Sequence, residues 1–176
     1  FPATYDDPDE VCKVIQAAPD PRRRIMKALL EMRVADPLLP MEEAFSQYLK
    51  DADMELSTKQ FALFMNAMYA VDAYIRNYFR KQAVDRLLAQ GIPVTVAGSG
   101  WEKYRHPKER YLVREPEMVF GLSFERIARA HVLLNVSPMF NRGMHDRMPA
   151  GMANGAVVLT DENPYLKRHF ADGEEL

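Results

Sequence analysis

Ile92-Pro93-Val94-Thr95-Val96-Ala97-Gly98-Ser99-Gly100-Trp101 is the stretch on which the reading of this chain turns. A short run rich in β-branched residues, bounded by Pro and Gly, has the pattern of a buried strand. Glycines directly after a strand let the backbone turn tightly, or let a phosphate or sugar approach without meeting a Cβ atom. A tight turn accounts for Gly-Ser-Gly as well as a ligand does. The third glycine of a dinucleotide-binding fingerprint is absent, which disfavours a nicotinamide dehydrogenase.

Downstream, the same grammar repeats. After a polar loop, Met118-Val119-Phe120-Gly121 is a second candidate strand, and Ser123 is placed to cap a short helix over 124–130. His131-Val132-Leu133-Leu134-Asn135-Val136 reads as a strand. A helix around Arg147 to Asn154, closed by Gly155, precedes the strand Ala156-Val157-Val158-Leu159-Thr160. Asn163-Pro164 opens a last helix, with Asn as cap and Pro in the first turn. Alternating strands and helices with short loops predict an α/β fold, a Rossmann-like parallel sheet with helices on both faces.

Upstream, the pattern is helical. All eight glycines lie at position 91 or later, and prolines 2, 8, 19, 21, 37 and 40 punctuate the first part into short pieces. Ser57-Thr58-Lys59-Gln60 fits a capping box. From there Phe61, Phe64, Met65, Met68, Val71, Ile75, Tyr78, Phe79 and Leu87 recur at helical spacing until Gly91. One helix of about 30 residues exceeds the usual length, so it is expected to be packed along its length or kinked. Its Met and aromatic stripe is a packing surface. The chain thus divides into short helices and Pro-marked turns (1–56), a long amphipathic helix packing on the next domain (57–90), and a Rossmann-like domain (91–176).

Composition excludes several classes. The 176 residues are 48% apolar and 27% charged, as in ordinary globular chains. A net charge of −2 gives no global field to attract nucleic acid or an anionic membrane. The basic and aromatic residues of loop 101–110 suit a solvated face or a partner contact, and Arg22-Arg23-Arg24 the exposed start of a helix. The single cysteine, Cys12, allows no intrachain disulfide and no cysteine metal site, and fits a reducing, cytoplasmic setting. His106, His131, His145 and His169 are scattered, so no metal site is expected. The most apolar stretch, 61–75, is interrupted by Asn66 and Asp72 and is too short to span a bilayer. Phe1-Pro2-Ala3-Thr4-Tyr5-Asp6-Asp7 is no signal peptide, and both ends read as cut from something longer.

Ligands of open parallel sheets sit beyond the carboxyl ends of the strands. That rule selects Gly98, Ser99 and Gly100, then Asn135 and Ser137, then His145 and Arg147 ahead of a helix, then Asp161 and Glu162. An arginine and free amides at a helix start suit a diphosphate. Plain alternatives are a surface loop with capping roles for His145 and Arg147, and helix capping around Asn163. His145-Asp146-Arg147 is no hydrolytic triad, because sequence neighbours do not take triad geometry and no nucleophile is evident. No residue is singled out as catalytic.

The words Val94-Thr95-Val96-Ala97-Gly98-Ser99-Gly100-Trp101, Val119-Phe120-Gly121, Leu133-Leu134-Asn135-Val136-Ser137-Pro138, His145-Asp146-Arg147 and Met152-Ala153-Asn154-Gly155-Ala156, running into Leu159-Thr160-Asp161, carry a resemblance. In order and spacing they resemble the C-terminal, donor-binding half of GT-B glycosyltransferases, especially the CgeB-like (spore-maturation-type) branch. The resemblance implies half of a GT-B fold preceded by a helix-rich segment. It implies a nucleotide-sugar donor, an unknown acceptor hydroxyl and no further cofactor. It would place Gly98, Ser99 and Gly100 along the cleft, Arg147 at the diphosphate, and Asp161 and Glu162 near the sugar or base. The family's Glu-x7-Glu pair falls on Arg142 and Ala150, so neither glutamate is present. The family's first strand, its phosphate loop and the acceptor-binding half would lie before Phe1. The rival reading is a degenerate, non-catalytic GT-B-like domain that binds a partner through its long helix and aromatic loop. A Rossmann-like epimerase or reductase is disfavoured by the missing fingerprint.

Overall fold

The computed structural model describes residues 3–138, 140 and 142–174. Five helices come first: α1 (Pro8–Ala17), α2 (Arg22–Ala35), α3 (Met41–Asp51), α4 (Thr58–Ala67) and α5 (Tyr69–Ala89). Their apolar faces meet in one core, in which Ile15, Leu29, Ala44, Phe45, Met68, Val71 and Ile75 are almost fully shielded. A charge is buried there as well. Arg33 is 2% exposed, with Asp72 accepting from its Nη1 and the Leu39 carbonyl from its Nε. Pairing of that kind is the condition for burying a guanidinium.

The capping box forms as expected, with Ser57 Oγ accepting from the Gln60 amide and the Gln60 side chain from the Ser57 amide. The long helix is broken at Met68, whose backbone (φ −85°, ψ 5°) leaves the helical region. Its side chain is completely buried in the helical core, and that packing competes with a straight helix through this point. Beyond the break, α5 turns to a second partner. Val84 and Leu88 pack with Tyr5, Val94, Val96, Trp101, Tyr104 and Leu112. Gly91 at φ +76° then ends the helix, a conformation that costs a glycine nothing.

The sheet layer follows: β1 (Val94–Ala97), β2 (Leu112–Glu115), α6 (Phe120–Ile127), β3 (Val132–Asn135), α7 (Arg147–Ala153), β4 (Val157–Thr160) and α8 (Pro164–His169). β1 pairs with β2 in parallel, Val94 opposite Leu112 and Ala97 opposite Glu115. β3 pairs with β4 in parallel, Val132 opposite Val157 and Asn135 opposite Thr160. The chain is therefore α/β, with Rossmann-like layering preceded by helices, and among the described residues four strands form two parallel pairs. Asn163 caps α8 by accepting from the Leu166 amide. Among the described residues no helix is long and apolar enough to cross a membrane.

Two expectations are corrected. The second strand lies at Leu112–Glu115, six residues before the expected start at Met118. Strand residue Arg114 is satisfied by the carbonyls of Trp101 and Tyr104, both at 2.9 Å, so a charged side chain serves at a position where apolar pattern is sought. Val119, which makes 118–121 look like a strand, is 70% exposed and precedes α6 instead. Ser123 accordingly sits inside α6, and the helix begins at Phe120 without a side-chain cap.

Candidate functional site

The carboxyl ends of the strands open onto two clefts. The smaller, about 390 Å³, is lined by Ala3, Thr4, Gly98, Ser123, His145, Arg147 and Ala150 among others. The larger, about 620 Å³, lies between the ends of β3 and β4, the α2–α3 turn at Asp36–Leu38 and one face of α5. It takes in Asn135, Ser137, Asp161 and Glu162. The two meet at one contact, where Arg147 Nη1 donates to Asn135 Oδ1 at 2.9 Å.

Around that contact the polar groups are fixed by one another. Asn135 is 1% exposed; its Nδ2 donates to Thr160 Oγ1 at 2.9 Å and its Oδ1 also accepts from Ser137 Oγ at 3.0 Å. The Ser137 amide donates to both oxygens of Asp161, at 2.9 and 3.0 Å. Asn163 Nδ2 holds the preceding loop by donating to the carbonyls of Phe140 and Gly143. Burial pushes the Asp161 carboxyl above its ordinary range, opposed by the Ser137 and Thr160 hydrogen bonds and by the Arg147 charge.

The smaller cleft carries both signs of charge, with Arg147 lining it together with Glu117 and Asp146. Burial lowers the Arg147 pKa, against the opposing charges of Asp146 and Asp161. Burial, then the charges of Arg147 and Arg76, push Arg80 on α5 down to about 10. Arg80 Nη1 donates to the Thr4 carbonyl at 2.8 Å, on the cleft wall. The Nε atoms of Arg80 and Arg76 are sealed from solvent and have no hydrogen-bond partner among the described residues. His145 Nδ1 accepts the Arg147 amide at 3.2 Å, which requires the neutral ring on that nitrogen. Burial and the nearby Arg147 charge lower its pKa, while Asp146, which stands against the same nitrogen, opposes them. The Arg80 and Arg147 charges repel one another across the Thr4 wall, a repulsion that a bound anion would relieve.

The expected site residues distribute as follows. Gly98, His145 and Arg147 share the smaller cleft; Asn135, Ser137, Asp161 and Glu162 share the larger. Glu162 lies at its rim, ion-paired to Lys167 with both side chains largely exposed. Ser99 and Gly100 line neither cleft. The Ser99 carbonyl accepts the Tyr5 amide, and a Cβ on Gly100 would stand 1.7 Å from the Tyr5 carbonyl oxygen. A Cβ on Gly98 would meet the Ala3 carbonyl at 2.5 Å. The close approach these glycines permit is that of the chain's own residues 3–5. Arg142 is turned away to an ion pair with Glu43 of α3. Ala150 packs against the cluster of Ile127, Leu133 and Ala156. Arg80 was not among the expected residues; its signal is the Arg76 and Arg80 pair, one helical turn apart on a helix whose other face is apolar.

A family model described as glycosyl transferase-like matches residues 76–176, more than half of the chain, from the middle of α5 through both strand pairs. Searches of curated proteins and of solved structures return no match.

Proposed function

Because this chain belongs to the glycosyl transferase-like family, we propose that it is the donor-binding half of a GT-B-type glycosyltransferase of the CgeB-like branch, holding a nucleoside-diphosphate sugar at its strand ends. The observation that carries this reading is that Arg147 and His145 line one cleft with Gly98, while Arg80, behind the Thr4 carbonyl on the cleft wall, lies near enough to feel the Arg147 charge. In the transfer, the acceptor oxygen bonds to the anomeric carbon as the bond from that carbon to the phosphate oxygen breaks. The leaving diphosphate keeps the electron pair. Fixed guanidiniums stabilise that developing charge without reorganising, and bound geometry replaces a bimolecular encounter. Arg147 and Arg80 are the residues assigned to the diphosphate. Ser137 and Asp161 offer hydrogen-bonding groups to the sugar or base in the adjoining cleft, with buried Asn135 holding Ser137, Thr160 and Arg147 in place.

On this reading the acceptor-binding half belongs to the same polypeptide, ahead of Phe1, and the one cysteine fits a cytoplasmic setting. The test is a thermal-shift panel of UDP, GDP, ADP, TDP and their sugar conjugates. A ligand at about 100 times its Kd stabilises by roughly 2.7 kcal/mol, which is roughly 5–10 °C for a chain of this size. One nucleotide giving such a shift supports a working donor site and names its base. No shift at millimolar nucleotide overturns the reading. It leaves the non-catalytic binding module, which the apolar packing of Ala150 and the outward pairing of Arg142 already favour over a ribose-gripping carboxylate.

A further inference from the structure

The larger cleft, at about 620 Å³, has the size of a small-molecule site, and one of its walls lies outside the region matched by the family model. Asp36, Pro37 and Leu38 of the α2–α3 turn supply that wall, whereas α5 and the strand ends fall within residues 76–176. The turn is fixed from behind. Buried Arg33, paired with Asp72 of α5, donates from Nε to the Leu39 carbonyl at 3.2 Å. Asp36 closes the turn itself, its Oδ1 accepting from the Leu38 amide at 2.9 Å. Asp36 is exposed, and a carboxylate that accepts one hydrogen bond keeps most of its lone-pair positions open.

Hydrogen-bonding capacity around this cleft is unevenly divided. Asn135, Ser137, Thr160 and Asn163 spend their side-chain donors on one another, on Asp161 and on loop carbonyls. The carboxylates of Asp36, Asp161 and Glu162 only accept. Open side-chain donors come from α5, from the Gln82 amide and from Arg86, whose Nη2 donates to Gln82 Oε1 at 3.4 Å. Leu38, Phe79 and Phe140 add apolar and aromatic surface suited to a flat ring. Arg147 is tied to the strand-end wall through Asn135, which marks that wall as the diphosphate end. The α2–α3 turn, across the cleft, is left for the base.

We propose that the turn Asp36–Leu38 reads the base of the donor and selects guanine, the Asp36 carboxylate accepting from N1–H and the 2-amino group while Arg86 donates to the O6 and N7 edge. The chemistry of the five bases makes the choice. Guanine alone carries two adjacent donors, which one carboxylate takes together, and its opposite edge offers the two acceptors that an arginine fork matches. Uracil and thymine flank their single N–H with carbonyls, so a carboxylate would face two acceptors. Adenine and cytosine present an amino group beside an unprotonated ring nitrogen, which leaves one carboxylate oxygen opposed. The proposal rests on the donor reading and adds to it a residue from the helical segment, which the family match does not include.

The test is isothermal titration of the 176-residue chain with GDP, UDP, ADP, inosine diphosphate and xanthosine diphosphate. GDP should bind about 10- to 100-fold more tightly than UDP or ADP, the worth of one or two hydrogen bonds to a charged group. Inosine diphosphate, which lacks the 2-amino group, should bind about tenfold more weakly than GDP. Asp36→Asn keeps an oxygen for the Leu38 amide and turns one acceptor into a donor, so it should weaken GDP and strengthen xanthosine diphosphate, each about tenfold. Its urea midpoint should match that of the parent, since the position is exposed. A merely structural role for Asp36 would not exchange one base for the other. UDP or ADP bound as tightly as GDP, or a GDP preference that Asp36→Asn leaves unchanged, overturns the proposal and leaves the donor site standing. Binding of no nucleotide overturns the donor reading and this proposal together.

Discussion

Arg147 and Asn135 join at 2.9 Å, linking the first residue of α7 to the last residue of β3 and dividing the strand-end region into two clefts. One side of this link faces the cationic group of α5 and the other the acid and amide groups around Asp161. The contact fixes the guanidinium in place before any ligand arrives. Arg147→Ala should therefore weaken binding of the preferred nucleoside diphosphate about 10- to 100-fold, the loss of one or two charge-assisted hydrogen bonds. Isothermal titration measures this, and an unchanged Kd would remove Arg147 from the site.

Arg80 makes a different prediction, because the same charge that serves a ligand is unwelcome without one. Burial and its neighbours Arg147 and Arg76 all disfavour its charged form. Arg80→Met keeps the packing of the stem and removes the charge. Its urea midpoint without ligand should equal or exceed that of the parent, while nucleotide affinity drops about tenfold. A variant that loses stability but not affinity would make Arg80 a structural residue.

The depressed pKa of His145 links stability to pH. Below the ordinary histidine value of about 6.5, the unfolded chain takes up a proton that the folded chain resists. The stability contribution of the neutral ring is complete above that value and is lost as pH falls through the lowered, folded-state value. His145→Gln should flatten this part of the profile, so urea midpoints at pH 7.5 and pH 5 should differ less than in the parent. Equal pH dependence in the two proteins would show that the ring does not resist protonation in the folded state.

Gly151 sits in α7 where the helix meets the sheet, and a Cβ there would come within 2.6 Å of Leu133 Cδ2 and 3.0 Å of Val158 Cγ2. Leu133 is 2% and Val158 1% exposed, so neither has room to retreat. Gly151→Ala gains about 0.5–1 kcal/mol of helix propensity and loses about 1–3 kcal/mol to overpacking. The expected net result is a lower urea midpoint. Because α7 carries Arg147, nucleotide affinity should fall as well. A gain in stability would mean that the helix can lift without cost.

Much of this was legible along the chain. The Ser57 capping box, the Asn163 cap and the order β3, α7, β4 are local patterns, decided by a few adjacent residues. The break at Met68 was not, since helical spacing continues through it and only the burial of its side chain marks the spot. β2 was hidden because Arg114 finds its partners at Trp101 and Tyr104, carbonyls brought near only by folding. At the site, the strand-end rule led to Asn135 and Arg147 without any knowledge of packing. Arg80 could not be found by that rule, because it projects from the side of a helix and touches Thr4, 76 residues away.

The chain's single tryptophan gives the region its own optical signal. Trp101 is 1% exposed, its ring centroid lies 4.8 Å from that of Tyr5, and its indole N–H donates to the Ala3 carbonyl. Tryptophan emission from this protein therefore originates at one place, the seam where residues 3–5 lie along the loop after β1. A seated seam emits from an apolar, water-free setting. Lifting residues 3–5 would expose the indole, shift its emission to the red and open it to quenching by iodide or acrylamide, so unlabelled protein can report whether that seam is closed.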